Sequence, residues 1–532
     1  MAQRALAGCV SLSLGGRLRP LRHARSAAPR RFAAMASGRA ELRFVSGAPP
    51  SDAESLVIVG TKERLLAPAA SALVPEGVSR AVWEGMCAAA KGDNGGSNST
   101  WLPPATDGGK PRKLTAAVLP SACSRHNSPA QPHALTALVG GALGSGAASV
   151  ALAVPREHAF ASACALARCL PLYNAKSRKA DAEPEAACVV TVGLLDDAAA
   201  EPLLPLTAAA DAVRLAARLV DTPPAEMTTT HFRAEAREVA KLLGARVSYT
   251  EVVGEELRDR GFGGIWGVGK AAAEPPALVV LSYTPEDADP ALKPVAFVGK
   301  GIIYDTGGLS LKVGGGMVGM KMDCGGAAAM LGAFRAAVLS GGLRRPLHCV
   351  LCLAENAIGP GAFRNDDILT LYSGKTVEIN NTDAEGRLVL GDGVAYSCKH
   401  LSPGLIVDMA TLTGAQLVAT GKRHAAIVAN NAELEAAAIT AGLASGDLVH
   451  PLPYAPEFFR SEFKSAVADM RNSVKDRSNA QSSCAANFVA EHLSADYDGG
   501  WLHVDMAGPA WAADRGTGYG VALLLALLQQ PV

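Results

Sequence analysis

The stretch VAFVGKGIIYDTGGLSLKVGGGMVGMKMDCGGAAA, residues 295–329, is typical of a buried strand, a glycine-rich loop and a helix of small residues. Further apolar strand segments follow, such as LHCVLCLAEN (347–356) and GLIVDMATL (404–412), and helical segments such as GRLVLGDGVAYSCKHL (386–401) lie between them. Strands that alternate with helices predict a mixed, mostly parallel α/β sheet covered on both faces. Sites in such folds lie at the carboxyl ends of the strands.

The length of 532 residues exceeds what one hydrophobic core comfortably supports, so we predict two domains. Helical spacing in TAAADAVRLAARLVD, ended by two prolines, predicts a helix that joins them. The expected organisation is a leader at 1–40, a smaller N-terminal α/β domain at 41–206, a linker helix at 207–224 and a larger C-terminal domain at 225–532.

The N-terminal half has a less regular pattern. GAASVALAVP (146–155) and ACVVTVGLL (187–195) predict strands, and EHAFASACALARCLPLY (157–173) predicts a helix between them. The segment KGDNGGSNSTWLPPATDGGK (91–110) is rich in Gly, Asn, Ser and Pro, so we expect an irregular break there.

Residues 1–40 contain eight Arg and no Lys, Asp or Glu. This Arg-, Ala- and Ser-rich composition is typical of an organelle transit peptide and predicts a mitochondrial or plastid destination. The alternatives are an unprocessed free terminus or translation from Met35, in which case we expect a cytoplasmic protein.

Charge and hydropathy exclude two classes of function. Beyond residue 40 the chain carries 42 basic and 50 acidic residues, and an acidic body argues against nucleic acid as the main ligand. No apolar run reaches the roughly 20 residues of a membrane span, and GVALLLALLQQPV (520–532) predicts a buried helix instead.

Cysteines, histidines and one glycine-rich motif give no site. The eleven scattered Cys form no disulfide framework, and Cys349 and Cys352 lie in an apolar segment that predicts buried thiols. GIWGVGKA (264–271) resembles a phosphate-binding loop, but Ala271 replaces the hydroxyl that would hold Mg²⁺. No pair of histidines has the spacing of a zinc site.

Charged side chains gather instead in loops that follow predicted strands. Burying such groups is costly unless they pair or bind ions. An oxygen-rich set suits Zn²⁺, Mn²⁺, Mg²⁺ or Co²⁺, although solvent-exposed loop charges are the simpler interpretation from spacing alone. The side chains are Lys300, Asp305, Lys312 and Asp323 in the first stretch, and Asp383 and Glu385 in INNTDAEGRLVLGDG (379–393).

Four blocks in order, VGKGIIYDTGGLSLK, MKMDCGGAAAM, NNTDAEGRLVLGDG and ATLTGA, resemble the leucyl aminopeptidase family, the M17 metallopeptidases. The resemblance covers about residues 210–532, and NTDAEGRL is close to diagnostic of the family. The form YDTGGLSLK is nearest to the branch called probable aminopeptidase-like 1. The N-terminal domain shows no convincing match to the family.

The resemblance implies a metalloexopeptidase that releases N-terminal, Leu-like residues from short peptides with two divalent cations, Zn²⁺ or Mn²⁺, and Mg²⁺ or Co²⁺ as alternatives. Matched residue by residue, Asp305 and Glu385 would bridge both ions. Asp383 would bind one ion through its side chain and carbonyl, and Asp323 and the Lys300 amine would bind the other.

Two further positions match the catalytic residues of the family. Lys312 would stabilise the oxyanion, and Arg387, at the start of a predicted helix, would hold a bicarbonate that acts as general base. Met320, Thr411 and Gly414 match the pocket for the first side chain of the peptide, with plain core packing as the alternative.

Family members form hexamers whose sites face an inner cavity, which implies a homohexamer restricted to short peptides. Two other functions are open. The same site could hydrolyse dipeptides such as Cys-Gly or amino-acid amides, or the protein could be a scaffold with a vestigial site. The presence of all seven matched side chains argues against a vestigial site.

Overall fold

A computed structural model describes residues 41–92, 95–144, 146–177 and 189–530, which fall within one unit of the chain. The Arg-rich leader at 1–40 lies outside the described residues, so its role as a transit peptide stays a prediction. The two-domain α/β architecture expected from the alternating pattern is present, with one large sheet in each half.

The smaller N-terminal domain is a six-stranded sheet with helices packed against it. Its elements are β1 (Glu41–Ser46), β2 (Ser55–Thr61), α1 (Lys62–Leu65), α2 (Pro68–Ser71), α3 (Arg80–Ala89), β3 (Gly96–Leu102), β4 (Arg112–Leu119), α4 (Pro132–Ala142), β5 (Ala148–Ala153), α5 (Ala159–Arg168) and β6 (Val189–Leu194). The strand order is β1-β6-β5-β2-β4-β3, and every pair is parallel except β3 with β4.

The irregular break predicted at 91–110 is wrong, because β3 lies inside it. Its residues alternate between half-buried and exposed, and only Leu102 is fully buried. An edge strand of this kind needs at most one apolar face. Its backbone hydrogen bonds to β4 do not depend on the identity of its side chains. A polar composition therefore hid this strand.

The larger C-terminal domain contains a mixed eight-stranded sheet, a three-stranded sheet and a two-stranded ribbon. With the helix that joins the halves, its elements are α6 (Leu203–Asp221), α7 (Thr229–Leu243), β7 (Val247–Val253), α8 (Glu255–Asp259), α9 (Gly263–Gly269), β8 (Ala277–Tyr283), β9 (Val295–Asp305), α10 (Gly325–Ser340), β10 (Leu347–Asn356), β11 (Ile368–Thr370), β12 (Thr376–Glu378), α11 (Gly386–Leu401), β13 (Leu405–Ala410), α12 (Gly414–Ala419), β14 (Ala425–Ala429), α13 (Ala432–Ser445), β15 (Val449–Pro451), α14 (Pro456–Phe459), β16 (Met470–Arg471), α15 (Gln481–Ala490), β17 (Gly500–Asp505), β18 (Trp511–Ala512), β19 (Arg515–Gly516) and α16 (Val521–Leu527).

The large sheet has the order β15-β14-β17-β13-β9-β10-β8-β7. Its four central strands, β17, β13, β9 and β10, are parallel, whereas β8 and β14 join them antiparallel. The carboxyl ends of the central strands therefore meet at one edge of the sheet, as the sequence predicts.

The large sheet is covered on both faces. Alternate residues of β9 enter two separate cores, since Val295 and Phe297 pack on the α10 side and Ala296 and Val298 on the α11 side. The joining helix α6 packs against both α5 and α10 and ends before the two prolines. The exact domain boundaries given above stay a prediction.

Two other sequence motifs form helices and strands of the C-terminal domain. GIWGVGKA largely forms α9 and not a phosphate-binding loop, and Cys349 and Cys352 are buried free thiols in β10. Among the described residues, one helical stretch, Met320–Ser340, is long and apolar enough to cross a membrane, but it is mostly buried inside the protein, as core helices are.

Helix α10 approaches the sheet closely at Gly326. A Cβ there would lie 2.1 Å from the Met409 carbonyl oxygen, whereas a Cβ at Gly325 would meet nothing nearer than 3.5 Å. We therefore expect Gly326→Ala to lower the free energy of unfolding by about 1–3 kcal/mol, because the backbone of α10 or of Met409 must move to make room for the added methyl group. Gly325→Ala is the control and should be neutral or slightly stabilising. Urea unfolding measures both, and equal stabilities would contradict the close approach.

Candidate metal centre

The predicted ligands lie together at the carboxyl ends of the central strands. Asp305 is the last residue of β9, and Lys300 lies earlier in the same strand. Asp323 lies in a single 3₁₀ turn that leads into α10, and Asp383 and Glu385 immediately precede α11. Residues more than 80 positions apart in the sequence therefore share one site.

Lys300 is at the centre of a buried ion cluster. Its Nζ lies 2.7 Å from Asp323 Oδ1 and 3.0 Å from Glu385 Oε1, and it donates to the Thr411 carbonyl at 2.9 Å. The Thr411 hydroxyl donates to Asp323 Oδ1 at 2.7 Å. Lys300, Asp323 and Glu385 are each at most 4 % exposed, so solvent contributes little to this cluster.

Lys312 forms the other half of the cluster from the loop after β9. Its Nζ lies 2.8 Å from Asp305 Oδ2 and 2.5 Å from Asp383 Oδ1. Asp305 is nearly fully buried, whereas Asp383 is half-buried. Lys312 therefore links Asp305 to Asp383 at the more open side of the site.

Three of the carboxylates already have a spacing that suits a metal ion. One oxygen each from Asp305, Asp383 and Glu385 lies within 4.8 Å of the other two. Among the described residues, the buried oxygens Glu385 Oε2 and Asp323 Oδ2 have no hydrogen-bond partner. Buried carboxylate oxygens without a partner are costly, so this donor set fits hard or borderline divalent cations.

The electrostatics favour added positive charge. Burial raises the pKa of Glu385 to about 8, and the neighbouring Asp305 adds to the rise. Burial likewise raises the pKa of Asp323 and of Asp383. Burial alone would lower the pKa of the Lys300 amine, but Asp323 and Glu385 outweigh it and raise that pKa. The raised carboxyl pKa values show that the site lacks positive charge, so a bound cation would stabilise the ionised carboxylates.

Arg387 lies in the first turn of α11, beside the carboxylate cluster. It is 6 % exposed, and its Nε and Nη1 have no hydrogen-bond partner among the described residues. Burial lowers its pKa to about 10, so it remains charged at neutral pH. A buried guanidinium with unused donors at a helix N-terminus is suited to hold an oxyanion.

The three predicted pocket residues lie around the same site. Met320 begins the 3₁₀ turn that carries Asp323 and is half-buried. Thr411 is buried, with its hydroxyl bonded to Asp323. Gly414 begins α12, is exposed, and would meet no atom within 4 Å of an added Cβ. Gly414 thus borders open space, while Thr411 contributes to packing of the site itself.

Two asparagines that position the site were not predicted. Asn356, fully buried at the end of β10, donates to Asp305 Oδ1 at 2.9 Å and to the Thr382 carbonyl at 3.1 Å. Asn472 donates to two carbonyls of the loop that carries Asp383. The polar end of the apolar segment LHCVLCLAEN was the one sequence signal for Asn356.

Two family models match the chain. Residues 214–525 match the catalytic domain of the cytosol aminopeptidase family, and residues 54–179 match the M17 aminopeptidase N-terminal domain 2. The expectation that the N-terminal domain matches no part of the family is therefore wrong. That domain carries none of the charged motifs on which the resemblance rests.

Curated relatives and solved structures agree with this result. The human probable aminopeptidase NPEPL1 is 56 % identical over 418 residues, covering 78 % of this chain and 79 % of the relative. The structure of leucyl aminopeptidase from Trypanosoma brucei in complex with bestatin has a TM-score of 0.84 at 38 % identity, covering 92 % and 96 % of the two chains. The bottromycin maturation enzyme BotP, in complex with Mn, has a TM-score of 0.71 at 29 % identity, covering 90 % and 99 %.

The family-model match covers more than half of the chain, and the relative on the NPEPL1 branch spans most of both sequences. The chain therefore belongs to the M17 leucyl aminopeptidase family, on the branch of the probable aminopeptidase NPEPL1, and is a metal-dependent aminopeptidase that hydrolyses peptides.

Proposed function

We propose that the protein removes apolar, Leu-like N-terminal residues from short peptides with two divalent cations per chain. The observation that carries this proposal is the cluster of four carboxylates, three of them buried, with oxygens left without a hydrogen-bond partner among the described residues. When bound, the cations, Zn²⁺ or Mn²⁺ with Mg²⁺ or Co²⁺ as alternatives, would supply an activated water and polarise the scissile carbonyl.

Five side chains would hold the cations. Asp305 and Glu385 would bridge them, Asp383 would complete one position, and Asp323 and Lys300 would complete the other. The contacts of Lys300 with Asp323 and Glu385 support this grouping. A lysine ligates only as a neutral amine, so Lys300 would hold a cation only with its proton released to solvent.

Lys312 would act on the substrate. Its ammonium now neutralises Asp305 and Asp383, a task that the cations would take over. With an 18 % exposed side chain it lies at the open side of the site, from which it could face the carbonyl oxygen of the peptide. There it would stabilise the negative charge that develops on that oxygen.

Arg387 would hold the base. Its unpartnered Nε and Nη1, together with the N-terminus of α11, would bind a bicarbonate and fix the place where the proton of the attacking water is accepted. Met320, Thr411 and Gly414 would border the pocket for the first side chain of the peptide, and the apolar Met320 supports the Leu-like preference.

We also propose a homohexamer with sites facing an inner cavity, on the strength of the family resemblance alone. Such an assembly would limit substrates to short peptides. Sedimentation velocity tests it, and a monomeric mass would contradict it.

Metal removal and return tests the proposed function. We expect metal-stripped protein to be inactive on a Leu-amide reporter and to regain activity as two Mn²⁺ or Zn²⁺ ions bind per chain. Turnover and bound metal are measured on the same samples. Full activity with one ion bound would contradict the two-cation proposal. Two ions bound without turnover would contradict the Leu-like preference and direct the search to Cys-Gly. If no metal binds, the result would favour the alternative that the protein is a scaffold with a vestigial site.

A further inference from the structure

A cleft of about 310 Å³ lies between the N-terminal domain and the C-terminal domain. The N-terminal wall comes from α4 and α5, and the opposite wall comes from α6, the segment after α12 and the chain after β17. None of the predicted metal ligands lines it. Its volume lies at the lower end of the range for small-molecule sites.

The cleft is strongly cationic although the chain beyond residue 40 is acidic. Five cationic side chains line it against a single carboxylate, Asp447. A concave wall with one sign of charge concentrates its field on a ligand of the opposite sign. The five cationic side chains are Arg168, Arg214, Lys422, Arg423 and Arg515.

Ion pairs within the protein neutralise part of this positive charge. Asp447 pairs with Arg168 at 2.5 Å and also accepts from the Gly520 amide at 2.9 Å. Arg515 pairs with Asp221 at 2.8 Å. Within the part of the chain that the structure describes, neither Lys422 nor Arg423 has a carboxylate partner. These two side chains therefore carry charge available to a ligand.

His133 adds a hydrogen-bond donor to the cleft. Its Nδ1 lies 3.1 Å from Arg423 Nη1, and since an arginine can only donate, this nitrogen accepts. Burial, with help from Arg423, lowers the pKa of His133 to about 3, so the ring is neutral and its proton is on Nε2. That Nε2 is buried and has no partner among the described residues. A buried N–H group without an acceptor costs free energy, and an acceptor oxygen of a bound ligand would remove that cost.

We propose that this cleft binds a small organic anion through a phosphate or carboxylate group, with Lys422 and Arg423 as charge partners and His133 Nε2 as donor. Every one of these groups donates, so the ligand group must be acceptor-only, as a deprotonated oxyanion is. The proposal does not depend on the peptidase mechanism, because the cleft shares no residue with the metal centre.

The test is calorimetric titration of the metal-loaded full chain with glycerol 3-phosphate, with glycerate, and with uncharged glycerol. We expect saturable binding of at least one anion and none of glycerol. In the Lys422→Ala/Arg423→Ala variant, that binding should weaken about tenfold or more, as expected for the loss of two charge-assisted contacts. Lys241→Ala/Arg246→Ala removes two exposed charges on and beside α7 and should leave binding unchanged.

The comparison of the two double variants excludes anions held at the catalytic site, because both variants keep Arg387. Tighter binding of glycerol 3-phosphate would identify a phosphate site, and tighter binding of glycerate a carboxylate site. No saturable binding, or binding that the Lys422→Ala/Arg423→Ala variant retains in full, would overturn the proposal.

Discussion

The Glu385→Gln variant is expected to lose roughly 1,000-fold or more of its kcat/KM on a Leu-amide reporter, because the change removes a ligand assigned to both cations. Glu385 is 1 % exposed, and its Oε1 lies 3.0 Å from Lys300 Nζ. Glutamine keeps the volume of the side chain but not its charge. Bound metal, measured on the purified variant, should fall below two ions per chain.

A folding defect would give a different result. In the metal-free protein burial and the neighbouring Asp305 raise the pKa of Glu385 to about 8, so at neutral pH the folded state favours the uncharged carboxyl, which glutamine resembles in shape and charge. We therefore expect the metal-free variant to unfold at a temperature no lower than that of the metal-free parent. Wild-type activity with two bound ions would refute the bridging role.

The Glu355→Gln variant is a matched control. Glu355 is half-buried in β10 and forms no ion pair with Lys300 or Lys312. The same loss of charge there should leave both kcat/KM and metal content near the parent values. A comparable loss at Glu355 would show that the site responds to charge in general and not to a particular ligand.

The central strands of the fold could be predicted because their signal is local. β9, β10 and β13 are apolar runs buried on both faces, and α10 and α11 are helical segments between them. The direction of the outer strands could not be predicted in this way. β8 and β14 are as apolar as the central strands, yet they run antiparallel, and strand direction follows from how the chain returns to the sheet.

The metal centre was predictable only in part. Its charged residues stand in dense local motifs, so Asp383 and Glu385 were found together within INNTDAEGRLVLGDG. Asn356 and Asn472 act across 26 to 91 positions of sequence, and a lone asparagine in a chain carries no sign of its distant partner.

The Lys312→Met variant is expected to lower kcat about 100- to 1,000-fold, the usual effect of removing one donor to a developing oxyanion. Methionine keeps much of the apolar stem and removes the ammonium. In the metal-free protein that ammonium neutralises Asp305 and Asp383, so its loss should destabilise the metal-free form. The cations compete with the same ammonium, so metal affinity should not fall, and metal content should stay near two ions per chain.

Both variants should be nearly inactive, but a measurement of bound metal should distinguish them. Glu385→Gln should bind fewer than two ions per chain, and Lys312→Met should still bind about two. Lys293→Ala, which removes an exposed ammonium paired with Asp498, is the control and should change neither kcat nor metal content. If Lys312→Met loses metal together with activity, the ammonium holds the two aspartates in place and does not act on the peptide. If kcat is unchanged, the charge on the carbonyl oxygen is stabilised without Lys312, and the bound cations are left to supply that stabilisation.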